Sequence, residues 1–131
     1  MTRAIERFSM LGEHGAIWLA IGAAGAALDP ARRSEWLAGA RRVALSYLVN
    51  QLLKLLVGRR RPAGQLAATR SDLSFPSAHA TTSFCGARVY GRLGLSLYPL
   101  AVALALSRLV LRVHHPSDVV AGAALGTVIA R

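Results

Sequence analysis

The chain has 131 residues and a mass of 13.9 kDa, which reads as a single domain over residues 1–131 with no room for a second folded unit. Hydrophobic residues make up 53 %, mean hydropathy is +0.40 and 17 % are charged, a composition that excludes disorder. Sixteen Lys and Arg against six Asp and Glu leave a net charge of +10 on a body too apolar for a soluble nucleic-acid binder, whereas basic loops on an apolar chain suit a membrane protein with cations left for an anionic ligand.

Residues 1–13 carry Ile5, Phe8 and Leu11 at helical spacing, with Arg3, Glu6 and Arg7 facing elsewhere. This is the pattern of a short amphipathic helix on a membrane surface. The segment lacks the apolar length and small-residue cleavage pattern of a signal peptide, although 15–28 is suited to act as an uncleaved anchor. Five apolar stretches follow, at roughly 15–28, 37–57, 77–91, 93–111 and 117–130. A full span takes about 20 apolar residues. Several of these runs are shorter and reach that length only with Trp36 or Arg92 at the interface. Five such helices leave too little polar surface for a soluble bundle. The expected fold is all-α, a polytopic membrane helix bundle of about five transmembrane helices plus the N-terminal surface helix. Gly122 and Gly126 stand four apart in the last stretch, a spacing that lets helix backbones approach closely. Cys85 is the only cysteine, so no internal disulfide forms.

Three polar clusters interrupt the apolar pattern, and counting helices puts all three at one membrane face. The first runs from Lys54, the only lysine, to Arg61-Pro62. It reads either as a snorkelling lysine before a basic loop or as two cations converging on an anion. The second is Pro76-Ser77-Ala78-His79 at the start of the third apolar stretch. Ser77 suits an N-cap, and free N–H groups there attract anions; without a ligand this is a capped helix with a chance histidine. The third joins Ser107-Arg108 to His114 and Asp118. An arginine in an apolar helix needs a partner or a ligand. A carboxylate four residues after a histidine can accept its Nδ1–H and leave the other nitrogen nucleophilic; the plainer alternative is a polar turn with an acidic helix start.

In that order, Lys-x6-Arg-Pro, Pro-Ser-x-His and Ser-Arg-x5-His-x3-Asp resemble the three-part signature of the type 2 phosphatidic acid phosphatase family. The resemblance covers residues 54–118. Two departures stand out: Ala78 occupies the place of the family's usual glycine, and five spans plus a surface helix are counted where membrane members have six. The resemblance implies that Lys54, Arg61 and Arg108, with Ser77 and the backbone at Ala78, bind phosphate. It implies further that His114 attacks phosphorus to form a phosphohistidine, that Asp118 orients it, and that His79 protonates the leaving oxygen and then activates water. His115 is off by one from the pattern, and His14 matches nothing in it.

No cofactor or metal is implied. A zinc site built from His79, His114, His115 and Asp118 is disfavoured by the neighbouring cations. The expected substrate is a membrane lipid phosphate, a polyprenyl or glycerolipid monoester or diphosphate, with the bilayer as partner, no nucleic acid, and homo-oligomerisation left open. Excluding Lys54, Arg61 and Arg108, six arginines on the motif face against seven on the other do not decide orientation. The resemblance implies a bacterial cell-membrane protein with its site outside the cytoplasm. Two alternatives are a vanadate-dependent haloperoxidase-like protein, which shares the anion site, and a non-catalytic membrane protein that binds anionic lipid.

Overall fold

The computed structural model describes all 131 residues and is all-helical, with one isolated bridge between Arg60 and Leu73 and no strands. Its α-helices are α1 (Thr2–Met10), α2 (Ala16–Leu28), α3 (Arg33–Val57), α4 (Ala78–Gly91), α5 (Tyr98–Val110) and α6 (Pro116–Ile129). The apolar stretches in the sequence fall on α2 to α6. The fourth begins later than its hydropathy suggests. Gly94 takes a left-handed φ of +100°, and Pro99 has no N–H to give, so it fits only the first turn of a helix starting at Tyr98.

The helix α4 lies at the centre, packed on α3, α5 and α6, and its small residues allow that contact. A β-carbon at Gly126 would collide with the carbonyl oxygen of Thr81, and one at Gly122 would press on that of Ser77. The Gly122/Gly126 spacing therefore seats α6 directly on the α4 backbone. Around this joint, Trp18, Tyr90, Val43 and Leu104 are fully buried. Trp18 Nε1 donates to Ser83 Oγ (3.0 Å), and Tyr90 donates to the Trp18 carbonyl (2.7 Å). Buried aromatic polar atoms are thus satisfied, as a dry interior requires.

Outside, Leu48, Leu52, Leu55 and Leu56 of α3, Leu106 and Val110 of α5, and Val120 of α6 are exposed. Water-soluble monomers rarely leave so much large apolar surface uncovered. Thr2–Leu28 is the one segment long and apolar enough to cross a membrane by length and composition. It is not a straight rod: His14 (φ +53°) and Gly15 (φ +70°) are both left-handed and fold α1 away from α2. The surface-helix reading of residues 1–13 also misses a contact. α1 packs against α5 and buries Ser9.

Candidate active site

The C-terminal end of α3, the N-terminal end of α4, the C-terminal end of α5 and the N-terminal end of α6 meet at one end of the bundle. The 58–77 connection folds across them, pinned by Arg61 N–H to Asp72 O (3.0 Å), Ser74 N–H to Arg59 O (2.8 Å) and Leu66 N–H to Leu111 O (2.9 Å). Beneath it lies a pocket of about 350 Å³. Lys54, Arg61, Ala78, His79, Arg108 and His114 all line it, so residues far apart in sequence share one wall.

Each cation is held by its own scaffold. Lys54 is buried, with its ammonium 3.4 Å from Asn50 Oδ1 one turn earlier on α3. The Asn50 amide donates to Pro76 O (3.2 Å) and Thr81 Oγ1 (2.9 Å), which ties α3 to the start of α4. Arg61 donates from Nε to Ser71 O (2.7 Å) and from Nη1 to Val113 O (2.8 Å). Arg108 is buried and donates from Nη1 to Ser9 Oγ (2.8 Å), while its Nε, also buried, has no partner within the protein.

Ser77 is the N-cap of α4. Its side chain accepts from Ala80 N–H (3.3 Å), and its own N–H donates to Asp118 O (2.9 Å). This sets the register of α4 against α6, while the hydroxyl itself lies outside the pocket lining. Ala78 is on the lining, so the methyl group that replaces a glycine hydrogen stands in the wall.

Asp118, fully buried, organises the turn before α6. Its Oδ2 accepts from the His115 N–H (2.7 Å) and lies 3.4 Å from His114 Nδ1 and 3.3 Å from His115 Nδ1. Its Oδ1 pairs with Arg59 (3.0 Å). Both imidazoles therefore reach the same carboxylate, but only His114 is buried and faces the pocket. Its Nε2 is 3.2 Å from Arg61 Nη1. Arginine can only donate, so Nε2 carries the lone pair and Nδ1 the proton turned towards Asp118. Burial first, then the charges of Arg61, Arg108 and Lys54, lowers the His114 pKa to about 4 against the opposing hydrogen bond with Asp118. The ring is neutral at pH 7.

His79, buried in the first turn of α4, donates from Nε2 to the Ser9 carbonyl (2.9 Å), and Glu13 lies 3.9 Å from the same nitrogen. Ser9 is thus a hub: its carbonyl holds His79, and its hydroxyl bonds Arg108 and Ser107 (3.0 Å). Sequence reasoning missed Ser9, Glu13, Asn50 and Arg59. Only Asn50 left a local signal, a polar residue one turn before Lys54 on an apolar helix. Taken together, the pocket can bind a tetrahedral anion among three cations and present it with an unprotonated imidazole nitrogen on one side and a protonated one on the other.

A family model described as PAP2 superfamily matches residues 40–131. Decaprenylphosphoryl-5-phosphoribose phosphatase of Mycobacterium tuberculosis is 43 % identical over 135 residues, covering 98 % of this chain and 76 % of its own. The protein of that name from Mycolicibacterium smegmatis is 44 % identical over 126 residues, covering 92 % and 68 %. Lipid A 1-phosphatase of Rhizobium etli is 35 % identical over 98 residues, covering 64 % and 42 %. Among solved structures, the transmembrane PAP2 type phosphatidylglycerolphosphate phosphatase of Bacillus subtilis superposes with a TM-score of 0.81 at 23 % identity, covering 98 % of this chain and 72 % of that one.

Proposed function

Because the chain belongs to the PAP2 superfamily and is a phosphatase of that family, we propose that it removes phosphate from a polyprenyl-linked sugar phosphate, with His114 as nucleophile and without a metal ion. The substrate class is carried over from the 43 % identical relative named for a decaprenylphosphoryl phosphoribose. The site residues rest on this chain's own geometry. The observation that carries the reading is the His114 ring, whose lone pair at Nε2 faces a pocket walled by Lys54, Arg61 and Arg108.

In this reading the three cations hold the phosphoryl oxygens, and the unpartnered Arg108 Nε finds its acceptor there. His114 Nε2 attacks phosphorus in line. A P–N bond forms as the P–O bond to the sugar oxygen breaks, and Asp118 balances the positive ring through Nδ1. His79, protonated on both ring nitrogens once the anionic phosphate is bound, gives one proton to the departing oxygen and becomes neutral. It then takes a proton from water as the water oxygen attacks the phosphohistidine, releasing phosphate and free His114. The cations already supply the charge stabilisation a metal would otherwise provide.

The exposed leucines and valines of α3, α5 and α6 support a place in the bilayer, with about five helices as spans and α1 at the interface, while the family resemblance alone supports a site at the face outside the cytoplasm. Helices of 13 or 14 residues cover only about 20 Å of an apolar core of about 30 Å, so local thinning or tilt of neighbouring lipid accompanies them.

The test is phosphate release from a prenylphosphoryl 5-phosphoribose in detergent with excess EDTA, comparing wild type with His114→Ala. Release that survives chelation and vanishes in the variant supports the reading. Release that needs a divalent ion, or that persists in the variant, overturns it.

A further inference from the structure

The pocket does not end at the phosphate-binding wall. Beyond His79 it continues between α1, the His14 turn and the middle of α3, where Glu13, His14, Tyr47 and Gln51 form its lining. This half differs in character, since beside Arg70 it carries a carboxylate, a phenol, an amide and an imidazole where the first half gathers three cations. A phosphoryl group is held better by the three-cation wall than beside the Glu13 carboxylate, so what enters this half is the part of the substrate that does not react.

The state of Glu13 narrows its chemistry. The carboxylate has His14 Nε2 at 3.7 Å, Arg70 Nε at 3.8 Å and His79 Nε2 at 3.9 Å. These distances offset its charge but are too long for hydrogen bonds, so its oxygens remain acceptors. An ammonium headgroup entering there would meet Arg70 beside it and the cationic wall behind it, and would be repelled. A hydroxyl group meets an acceptor without that cost. The neighbouring pair is ordered for the same task. His14 Nδ1 lies 2.6 Å from the Tyr47 hydroxyl and the rings meet edge to face, with centroids 5.6 Å apart. His14 holds a left-handed φ of +53° to reach this position. Such a conformation is unfavourable for a residue with a β-carbon unless its surroundings over-determine it.

We infer that Glu13, His14, Tyr47 and Gln51 form a polyol subsite that reads the hydroxyl groups of the leaving group, so that the enzyme selects a hydroxylated, sugar-like alcohol beside the phosphate it removes. The inference rests on the phosphatase reading above. It places the sugar on the His79 side, where the bond to the leaving oxygen breaks. Glu13 and Gln51 accept from or donate to neighbouring hydroxyls, and Tyr47 is fixed by His14 as one further partner.

The experiment compares two substrates of equal prenyl length, the phosphorylated ribose compound and its analogue lacking the two ring hydroxyls, on wild type, Tyr47→Phe and Glu13→Gln. Wild type is expected to favour the hydroxylated substrate by about tenfold or more in kcat/KM, because a site built to bond a hydroxyl discriminates against its loss. Each variant is expected to shrink that ratio several-fold, mainly through KM. Equal kcat/KM for the two substrates in wild type overturns the subsite and leaves the phosphatase reading standing. A ratio that survives both substitutions, with both rates lowered together, also overturns it, since that is the signature of a structural role. No phosphate released from either substrate overturns the parent reading and the subsite with it.

Discussion

Both ends of the bundle are rich in arginine, yet they use it in opposite ways. At the end away from the pocket, Arg32 pairs with Asp29 at 2.8 Å, Arg33 caps Ala26 O at 3.0 Å, and Arg42 donates to the carbonyls of Ile129 (2.9 Å) and Arg131. Arg33 and Arg42 settle on the last carbonyls of helices, where the helix dipole welcomes positive charge. At the pocket end the buried cations are left with donors to spare. Arg108 keeps a buried Nε without a partner, and Lys54 has only an amide oxygen at 3.4 Å. A count of arginines on each face treats the two ends as equal. The acceptor available to each side chain separates a structural cation from one waiting for an anion.

Substitutions can break or sharpen this contrast. The largest effect is expected at His114: alanine there should remove turnover to background in the phosphate-release assay. Asp118→Asn should cost about 10³–10⁴ in kcat, since an amide cannot balance the charged ring and favours the wrong tautomer. Arg108→Ala at the pocket end should cost about 10²–10³ in kcat/KM. Arg42→Ala at the other end should shift stability by about 1 kcal/mol or less and leave kcat/KM within about twofold. Equal losses from these two arginines would erase the distinction between the ends. Smaller again is Ser9→Ala, expected to lower kcat by roughly tenfold by freeing Arg108 and removing a bond worth about 1–3 kcal/mol. Ser9 makes no bond to His114, so Ser9→Ala should leave the acid limb of the pH profile in place.

That acid limb has a definite position. His114 is held at about 4 by burial and neighbouring cations, well below the ordinary value of about 6.5. Nε2, the proposed attacking nitrogen, therefore stays unprotonated down to about pH 5, and on that proposal the acid limb of kcat/KM should lie near 4. The sign for stability is opposite to that of a salt-bridged histidine. Below about pH 6.5 the unfolded chain takes up a proton that the folded site refuses, so folding weakens as pH falls from about 6.5 towards 4. Relieving the burial of His114 by shortening Val113 should move the acid limb upward, a shift readable in the pH profile alone.

Much of this arrangement is legible in the sequence because it is local or repetitive. The helices follow from apolar runs bounded by Pro30, Gly58, Pro76, Gly94 and Pro116. The seat of α6 on α4 follows from Gly122 and Gly126. The His114–Asp118 pairing follows from a spacing of four across a turn. What is not legible depends on contacts between distant segments. The moment of α1 marks Phe8 as its inward residue, which it partly is, but nothing in residues 1–13 announces that Ser9 bonds residues 98 and 99 positions away. Arg59 stands in a run of three arginines with identical local context, and only the fold of the 58–77 connection selects it for Asp118 and Arg61 for His114. Both His114 and His115 reach the same carboxylate; the motif spacing picks His114, and in the fold burial tells the two apart.

The Ser9 hub also sets when the site comes into being. During synthesis, Lys54, Arg61 and His79 emerge from the ribosome well before Ser107, Arg108, His114 and Asp118. Until those later residues arrive, Ser9 has nothing to bond at α5, and α1 has no helix to close against. Under the proposed mechanism, a nascent chain halted before α5 would have Lys54, Arg61 and His79 but neither Arg108 nor His114, so it would not yet turn over a phosphate. On that reading, turnover waits for α5 and the turn before α6.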